Sequence, residues 1–527
     1  MVGRILLSLL LFVGGLVAQV AVKREADASD AFFKRGEIPR FEIVVAPEEL
    51  AKLKANAREY VRARLFENGK IAFETVGVKL KGAAGSFREW DDRPALTVKV
   101  DKFDDTLRWR ALKKFHLNNA VQDDTWQHDL LASELMTRAG IPAARVSHAR
   151  VWLNGRDVGL YVLKEALDKT FLARHFSNND GNLYDGGFCQ DVDADLEKDS
   201  GGGPDDHADL KSLREILAVA DLKERWAKLE GVVDVKACVN FMAMELLINH
   251  WDGYTQNRNN YRMYFHPALS RWVFIPHGMD QIFGDAEASM LDMPTAMVSA
   301  SVMRHPDWRL LYRKRLSEVV SFVAPEKLHP KVDEVAKRLA PVLESMDPQL
   351  ARDYVGRVRA LKDRIAARYK FAKEQAALPE PKPVALAPGK SLVLRTWRKA
   401  PETEDARLSE EKNAGERQYV IGVGPSGRCV ASWRKMVPLT KGRWRFSASV
   451  RTEGVVATTD TPNQGAGVRI SGGTRTAKAV GDAMWKPLVF DFEVEEAVRD
   501  VEFVIELQAT RGTAWFNLES LKLKRLE

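Results

Sequence analysis

Between His250 and Gly284 the chain sets out an acid, an amide and a second acid. These are Asp252, Asn257 after four intervening residues, and Asp280, within H-W-D-G-Y-T-Q-N-R-N-N-Y and I-P-H-G-M-D-Q-I-F-G. Phosphoryl transfer from a nucleotide asks for such a set. One carboxylate accepts the proton of the attacking hydroxyl, and the amide and the other carboxylate hold a divalent cation on the phosphates. Mg²⁺ prefers oxygen donors, which Asn257 and Asp280 can supply. A local role competes with this reading, because Asp and Asn at such spacing also cap helices and order turns.

These residues need elements to carry them. Apolar periodicity predicts helices near 210–220, 223–229 and 235–249, the last ending just before Asp252. Alternating residues 261–265 and 271–275 predict a hairpin that delivers Asp280. Further upstream, residues 41–45, 76–80 and 95–100 read as strands, 47–57 as a short helix and 125–138 as a helix closed by Gly140. Residues 150–153 and 159–163 form a second hairpin, with Asn154-Gly155 signalling a type I′ turn. The Gly- and Asp-rich stretch 185–209 predicts a long flexible loop, in which Asp191, Asp193 and Asp195 form a solvated acidic run. Residues 305–375 read as mostly helical. A Pro-rich spacer follows, and beyond it short alternating strands between Gly-rich turns predict a β-sandwich.

A length of 527 residues implies two to four domains. With 45% apolar and 29% charged residues the chain is ordinary globular protein, neither disordered nor fibrous. The net charge of +7 is dispersed, and no basic run points to a nucleic-acid partner. Arg4, an apolar run over 5–18 and small residues at Ala18 and Ala21 read as a secretory signal over 1–21, too short for a spanning helix. Export to the periplasm, cell surface or medium is the expectation, with no other segment apolar enough to cross a membrane. Cys189, Cys238 and Cys429 lie too far apart for a C-x-x-C site, and Cys238 falls on an apolar helix face as a small buried hydrophobe. His250 and His277 lack any zinc-ligand spacing.

Three blocks together resemble the CotH family of spore-coat-H-like atypical kinases. They are L-N-N-A-V-Q-D-D (117–124), R-V-W-L-N-G-R-D-V-G-L-Y-V-L-K-E (150–165) with G-N-L-Y (181–184), and the segment from Asn249 to Gly284, whose Asp-x₄-Asn spacing equals that of a kinase catalytic loop. The resemblance implies an α+β, divergent kinase-like domain over 38–375, a linker over 376–390 and a β-sandwich or jelly roll over 391–527. It implies ATP with Mg²⁺ or Mn²⁺ as cofactors and a protein Ser or Thr as acceptor. Asp252 then matches the catalytic acid, and Asp280, with Asn257, holds the metal. The family's phosphate-binding Lys falls at Arg93, with Lys99 as a rival, and Glu165 matches an acid that would pair with that cation. Alternatives on the same scaffold are a catalytically silent attachment or assembly protein and a nucleotidyl transferase. In the last region Trp433, Trp444, Trp485 and Trp515 stand out; most belong in a core, and an exposed one could stack on a sugar ring, making a glycan a candidate partner.

Overall fold

The structure, a computed structural model, describes residues 26–202, 206–413, 415–457, 464–473 and 478–527. The expected signal over 1–21 lies outside the described residues. The chain divides into two compact units between Leu378 and Pro379.

The first unit begins with a closed barrel of seven strands. These are β1 (Arg40–Val44), β2 (Val61–Glu67), β3 (Lys70–Lys81), β4 (Ala95–Lys99), β5 (Lys114–Asn118), β6 (Val146–Leu153) and β7 (Arg156–Glu165), in the order β1-β2-β3-β4-β5-β7-β6. Parallel pairing of β1 with β6, Arg40 beside Arg150, shuts the ring. Strict alternation buries Ile43, Leu65, Val78, Val98, Phe115 and Leu163 inside it. The same alternation puts Lys79, Thr97, His116 and Lys164 in one row across the outer face, since each is the register partner of the next. The β6–β7 turn is the expected two-residue type, with Asn154 and Gly155 both at positive φ (48° and 82°).

Helices α1 (Ala28–Arg35) and α2 (Pro47–Ala55) border the barrel, and α3 (His128–Arg138) lies between β5 and β6 in sequence. The expected start of α3 at 125 moves to His128, because Asp123 folds back to accept from the backbone N–H groups of Thr125 and His128. After β7 come α4 (Lys169–His175), β8 (Leu183–Asp185) and β9 (Lys198–Ser200). The stretch expected as a flexible loop is therefore partly structured. Asp191 is buried and accepts from Val192 N–H, Met297 N–H and the Tyr254 hydroxyl, which ties the segment to the helices.

Then follow α5 (Ala208–Ala218), α6 (Leu222–Val232), α7 (Val235–Leu247), α8 (Tyr254–Asn257), β10 (Tyr261–His266) and β11 (Arg271–Pro276). Strands pair as β11-β10-β8-β9 in a second sheet. The remaining helices are α9 (Met297–Arg304), α10 (Pro306–Val319), α11 (Pro325–Met346) and α12 (Pro348–Ala377). They share one apolar core with α3 and α7, and Cys238 is buried in it. No helix among the described residues is long and apolar enough to cross a membrane.

The second unit is all β, with strands from β12 (Ser391–Val393) to β20 (Lys522–Arg525). Its core holds Trp397, Tyr419, Trp433, Trp444, Phe446 and Phe503. Trp485 is exposed, and Trp515 is half-buried beneath the Arg451 guanidinium, 3.9 Å from the ring centroid.

Candidate active site

The turn carrying Asp252 is anchored on both sides. Asp234 caps α7 by accepting from Ala237 N–H (3.0 Å), and the body of the helix is buried through Cys238, Phe241, Met242, Met244 and Leu247. A helix end leaves carbonyls without partners. Here the fully buried Arg368 of α12 donates to the carbonyls of Leu246 and Leu247, and also to Ala286 and Ala288 beyond Asp280. Glu245 is buried too, and accepts from the N–H groups of Tyr254 (3.1 Å) and Thr255 (3.0 Å) and from the Thr255 hydroxyl (2.6 Å).

Between these anchors Asp252 is held by three amides. Asn257 donates to Oδ1, while Asn259 (3.0 Å) and Asn260 (2.7 Å) donate to Oδ2. An ionised carboxylate offers about four acceptor sites, so one on Oδ1 stays open for an incoming hydroxyl. Asn257 therefore serves Asp252 first: its N–H₂ group, aimed at the acid, sets the amide's orientation.

The segment bearing Asp280 is fixed residue by residue. His277 N–H donates to Asn260 C=O (2.9 Å), and His250 Nε2 lies 3.2 Å from Gly278 C=O. Met279 N–H donates to Asp129 Oδ1 (3.2 Å), and His128 Nδ1 lies 2.8 Å from Asp280 C=O. Asn260 thus touches both acids' segments, through its side chain and its carbonyl. Gly278 sits at φ +51°, and a Cβ there would fall 2.2 Å from Asn260 Oδ1, so this position requires glycine. Among the described residues, no hydrogen bond or ion pair from another side chain reaches the Asp280 carboxylate. Burial, and then the charge of Asp129, push it up from 3.8 to about 6.

Asp129 gathers the neighbouring elements. It pairs with the buried Lys164 of β7 and accepts from Asn118 Nδ2 (3.3 Å). Burial works against its ionisation, but the Lys164 ammonium outweighs that and leaves it below the usual range. Lys81, the last residue of β3, donates to Asn118 Oδ1 (2.7 Å). Burial, and then Lys164 nearby, draw the Lys81 ammonium down to about 8. His116 and His277 are held neutral, well below the usual imidazole value; burial leads in both, joined by Lys81 for His116 and Arg262 for His277.

So the structure joins Asn257 to Asp252 directly and ties the segment bearing Asp280 to them through Asn260 and His250, and it sends the three expected phosphate-site residues elsewhere. Arg93 donates to Leu160 C=O and lies over the rings of Tyr161 (5.4 Å) and Trp126 (5.9 Å), filling a packing role. Lys99 is on the outer barrel face, but four residues along β4 from Ala95, the register partner of Lys81, or roughly 13 Å away. Glu165 points to the opposite side from Lys164 and is gripped by Arg145 and Arg174. Burial raises its proton affinity, yet the two guanidiniums win and leave it below the usual range. Glu165→Gln should remove the buried charge that both guanidiniums share, leaving Arg145 with Asp30 (2.7 Å), and lower stability by about 3 kcal/mol in urea denaturation. An unchanged midpoint would mean that the grip carries no load.

Sequence reasoning missed Lys81, Lys164, Asp129, Asn259 and Asn260. A signal for Lys81 was present: on a strand that buries Val78 and Leu80, Lys79 and Lys81 must share the other face. Glu165 was expected as the acid that pairs with the phosphate-binding cation; on this face of the barrel the acid that pairs with a cation is instead Asp129, with Lys164. Asp193 and Asp195 stay outside the cluster, and among the described residues no group of three or more His, Cys, Asp or Glu side chains could hold a metal. Beside the turn, a cavity of about 540 Å³ is lined by His250, Trp251, Gln256, Asp285 and Asp292 among others.

Residues 78–372 match the family described as CotH kinase protein. Among characterised relatives, inner spore coat protein H of Bacillus subtilis is 21% identical over 273 residues, covering 46% of this chain and 72% of that protein. Invasin CotH2 of Rhizopus delemar is 24% identical over 192 residues, which is 32% of each chain. The chain thus spans about a third of that relative's length. Structures similar to part of the chain include TmCBM61 in complex with β-1,4-galactotriose (15% identity, 24% of this chain, 88% of that one, TM-score 0.19). Another, described as CBM4 structure and function, is 17% identical over 24% of this chain and 86% of that one (TM-score 0.18). The all-β character of the second unit follows from its own strand pairing.

Proposed function

We propose that this chain, which belongs to the CotH family, transfers the γ-phosphoryl group of ATP to a Ser or Thr hydroxyl of a protein. One observation carries the reading: Asp252, oriented by three amides with an acceptor site to spare, stands one residue contact, Asn260, from the segment of Asp280. Asp252 takes the proton of the hydroxyl as its oxygen bonds to the γ-phosphorus and the bridging oxygen leaves with ADP. The cavity beside Trp251 gives room for polypeptide flanking the acceptor.

Mg²⁺ is commonly held by one or two carboxylates together with substrate phosphates, so a dedicated cage is not needed. Asp280 fits that pattern, as a half-buried carboxylate that no side-chain hydrogen bond or ion pair reaches among the described residues. Asn257 can add its Oδ1. A bound Mg²⁺ would neutralise charge on the phosphates. Lys81 and Lys164 extend the positive lining along the barrel face, and they replace Arg93 and Lys99 as the residues we assign to the phosphates. An apolar N-terminal run and relatives named for a spore coat and an invasin support an exported protein working at a surface. The exposed Trp485 and the half-buried Trp515 support a glycan-binding role for the second unit.

The test is incubation with ATP labelled at the γ- or the α-phosphate, with Mg²⁺ or Mn²⁺ and a Ser-containing protein mixture. Label transferred from the γ position alone supports the kinase. Label from the α position would replace it with nucleotidyl transfer, and none from either would leave a silent scaffold.

A further inference from the structure

The hydrogen bond from His128 to the Asp280 carbonyl comes from an element outside both acidic segments, the first turn of α3, and its second nitrogen has a partner of fixed character. We infer that His128 is a positioning residue for Asp280, and that Arg364 of α12 fixes its tautomer. The inference rests on Asp280 being the metal-holding carboxylate of the proposed reaction.

His128 is buried and its ring is bounded on two sides. Nδ1 is 2.8 Å from Asp280 C=O, and a carbonyl only accepts, so Nδ1 carries the hydrogen. Nε2 is 3.3 Å from Arg364 Nη2, and a guanidinium only donates, so Nε2 presents its lone pair. Two one-way neighbours select a single neutral tautomer. Asp123 supports it: Oδ1 stands 3.5 Å from Nδ1, on the side where an N–H is favoured, and Oδ2 accepts from His128 N–H (2.8 Å). Among the described residues Arg364 Nε has no hydrogen-bond partner, while Nη2 of the same guanidinium meets His128 Nε2.

The effect reaches the carboxylate through the main chain. With Met279 N–H bound to Asp129 and Asp280 C=O bound to His128, the peptide unit before Met279 and the one after Asp280 are both held, so the two-residue stretch from which the Asp280 side chain leaves is pinned at each end. Partners of this kind around metal ligands are worth about 10–100-fold in affinity. No residue of the β10–β11 hairpin, which supplies Asp280, takes part in the Arg364 contact. Helix α12 therefore has its own hold on the site.

Titration of the purified full chain with Mn²⁺ alone, read by calorimetry and by thermal shift, measures this without turnover. His128→Phe, which keeps the ring and loses both contacts, should weaken Mn²⁺ binding about tenfold. His128→Asn, whose amide can both donate to Asp280 C=O and accept from Arg364, should restore binding to within about threefold of the parent. Arg364→Met lies on a helix whose packing it does not interrupt, and covers the case in which His128→Phe fails to fold. It should weaken Mn²⁺ binding and shift the ring ¹⁵N signals of histidine-labelled protein toward a mixture of tautomers. Parent-like Mn²⁺ affinity in Arg364→Met with unchanged ring signals would overturn the inference while leaving the proposed reaction standing. A parent that binds no Mn²⁺ would overturn both.

Discussion

Asp280→Asn protein should transfer phosphoryl groups at least about a thousandfold more slowly than the parent, and yet unfold at higher urea concentration at neutral pH. The two effects share a cause. A carboxylate held at about 6 by burial and by Asp129, against 3.8 in the unfolded chain, binds more protons folded than unfolded between those values. Stability of the metal-free protein therefore falls as pH rises from about 4 to 6 and stays low above that, at a cost on the order of 3 kcal/mol. Asparagine has no charge to bury, so the loss disappears together with the oxygen proposed to hold the cation. Urea midpoints at pH 5 and 8 for parent and variant, without metal, check the prediction. Equal pH dependence in both would show that Asp280 is not the strained group. Added Mn²⁺ should raise the parent's midpoint at pH 8 more than at pH 5, and leave the variant's unmoved.

Asp252→Asn should lower the transfer rate about a thousandfold while Mg²⁺–ATP binds within about threefold of the parent. The substitution is isosteric, but an amide gives one accepting oxygen where the three neighbouring Asn amides require two. It also removes the proposed base for the hydroxyl proton. Single-turnover rates with γ-labelled ATP separate the chemical step from binding. If the variant turns over normally, Asp252 is a turn former, as the competing local reading holds, and the acceptor is activated in some other way. A fall in ATP affinity as large as the fall in rate would instead place Asp252 among the nucleotide contacts.

The acids were legible in the sequence because their chemistry is local. Asp252, Asn257 and Asp280 occupy a stretch of about thirty residues that follows one helix and encloses a hairpin, and both elements have clear periodicity. The Asn154-Gly155 turn was legible for the same reason, since its backbone demands are met by two neighbouring residues. The cationic side of the site was not. Lys81, Asn118, Asp129 and Lys164 sit on β3, β5, α3 and β7, and they meet only because four strands, β3, β4, β5 and β7, align in register beside a helix. No window along the chain contains that meeting. Arg93 illustrates the converse: a cation near the right turn, whose partners turn out to be two aromatic rings and a carbonyl.

Barrel closure has a consequence for how the chain matures. Strand β1 pairs with β2 nearby, but its other edge is sealed only by β6, through partners such as Arg40 and Arg150 that are 110 residues apart. Bringing such distant segments together costs chain entropy before any contact repays it, which slows folding. Until β6 arrives, the opposite side of β1 offers unpaired peptide groups to any passing strand. The first strand of the barrel thus keeps an open edge until β6 is made, and a chain cut short of residue 146 would expose a sticky rim.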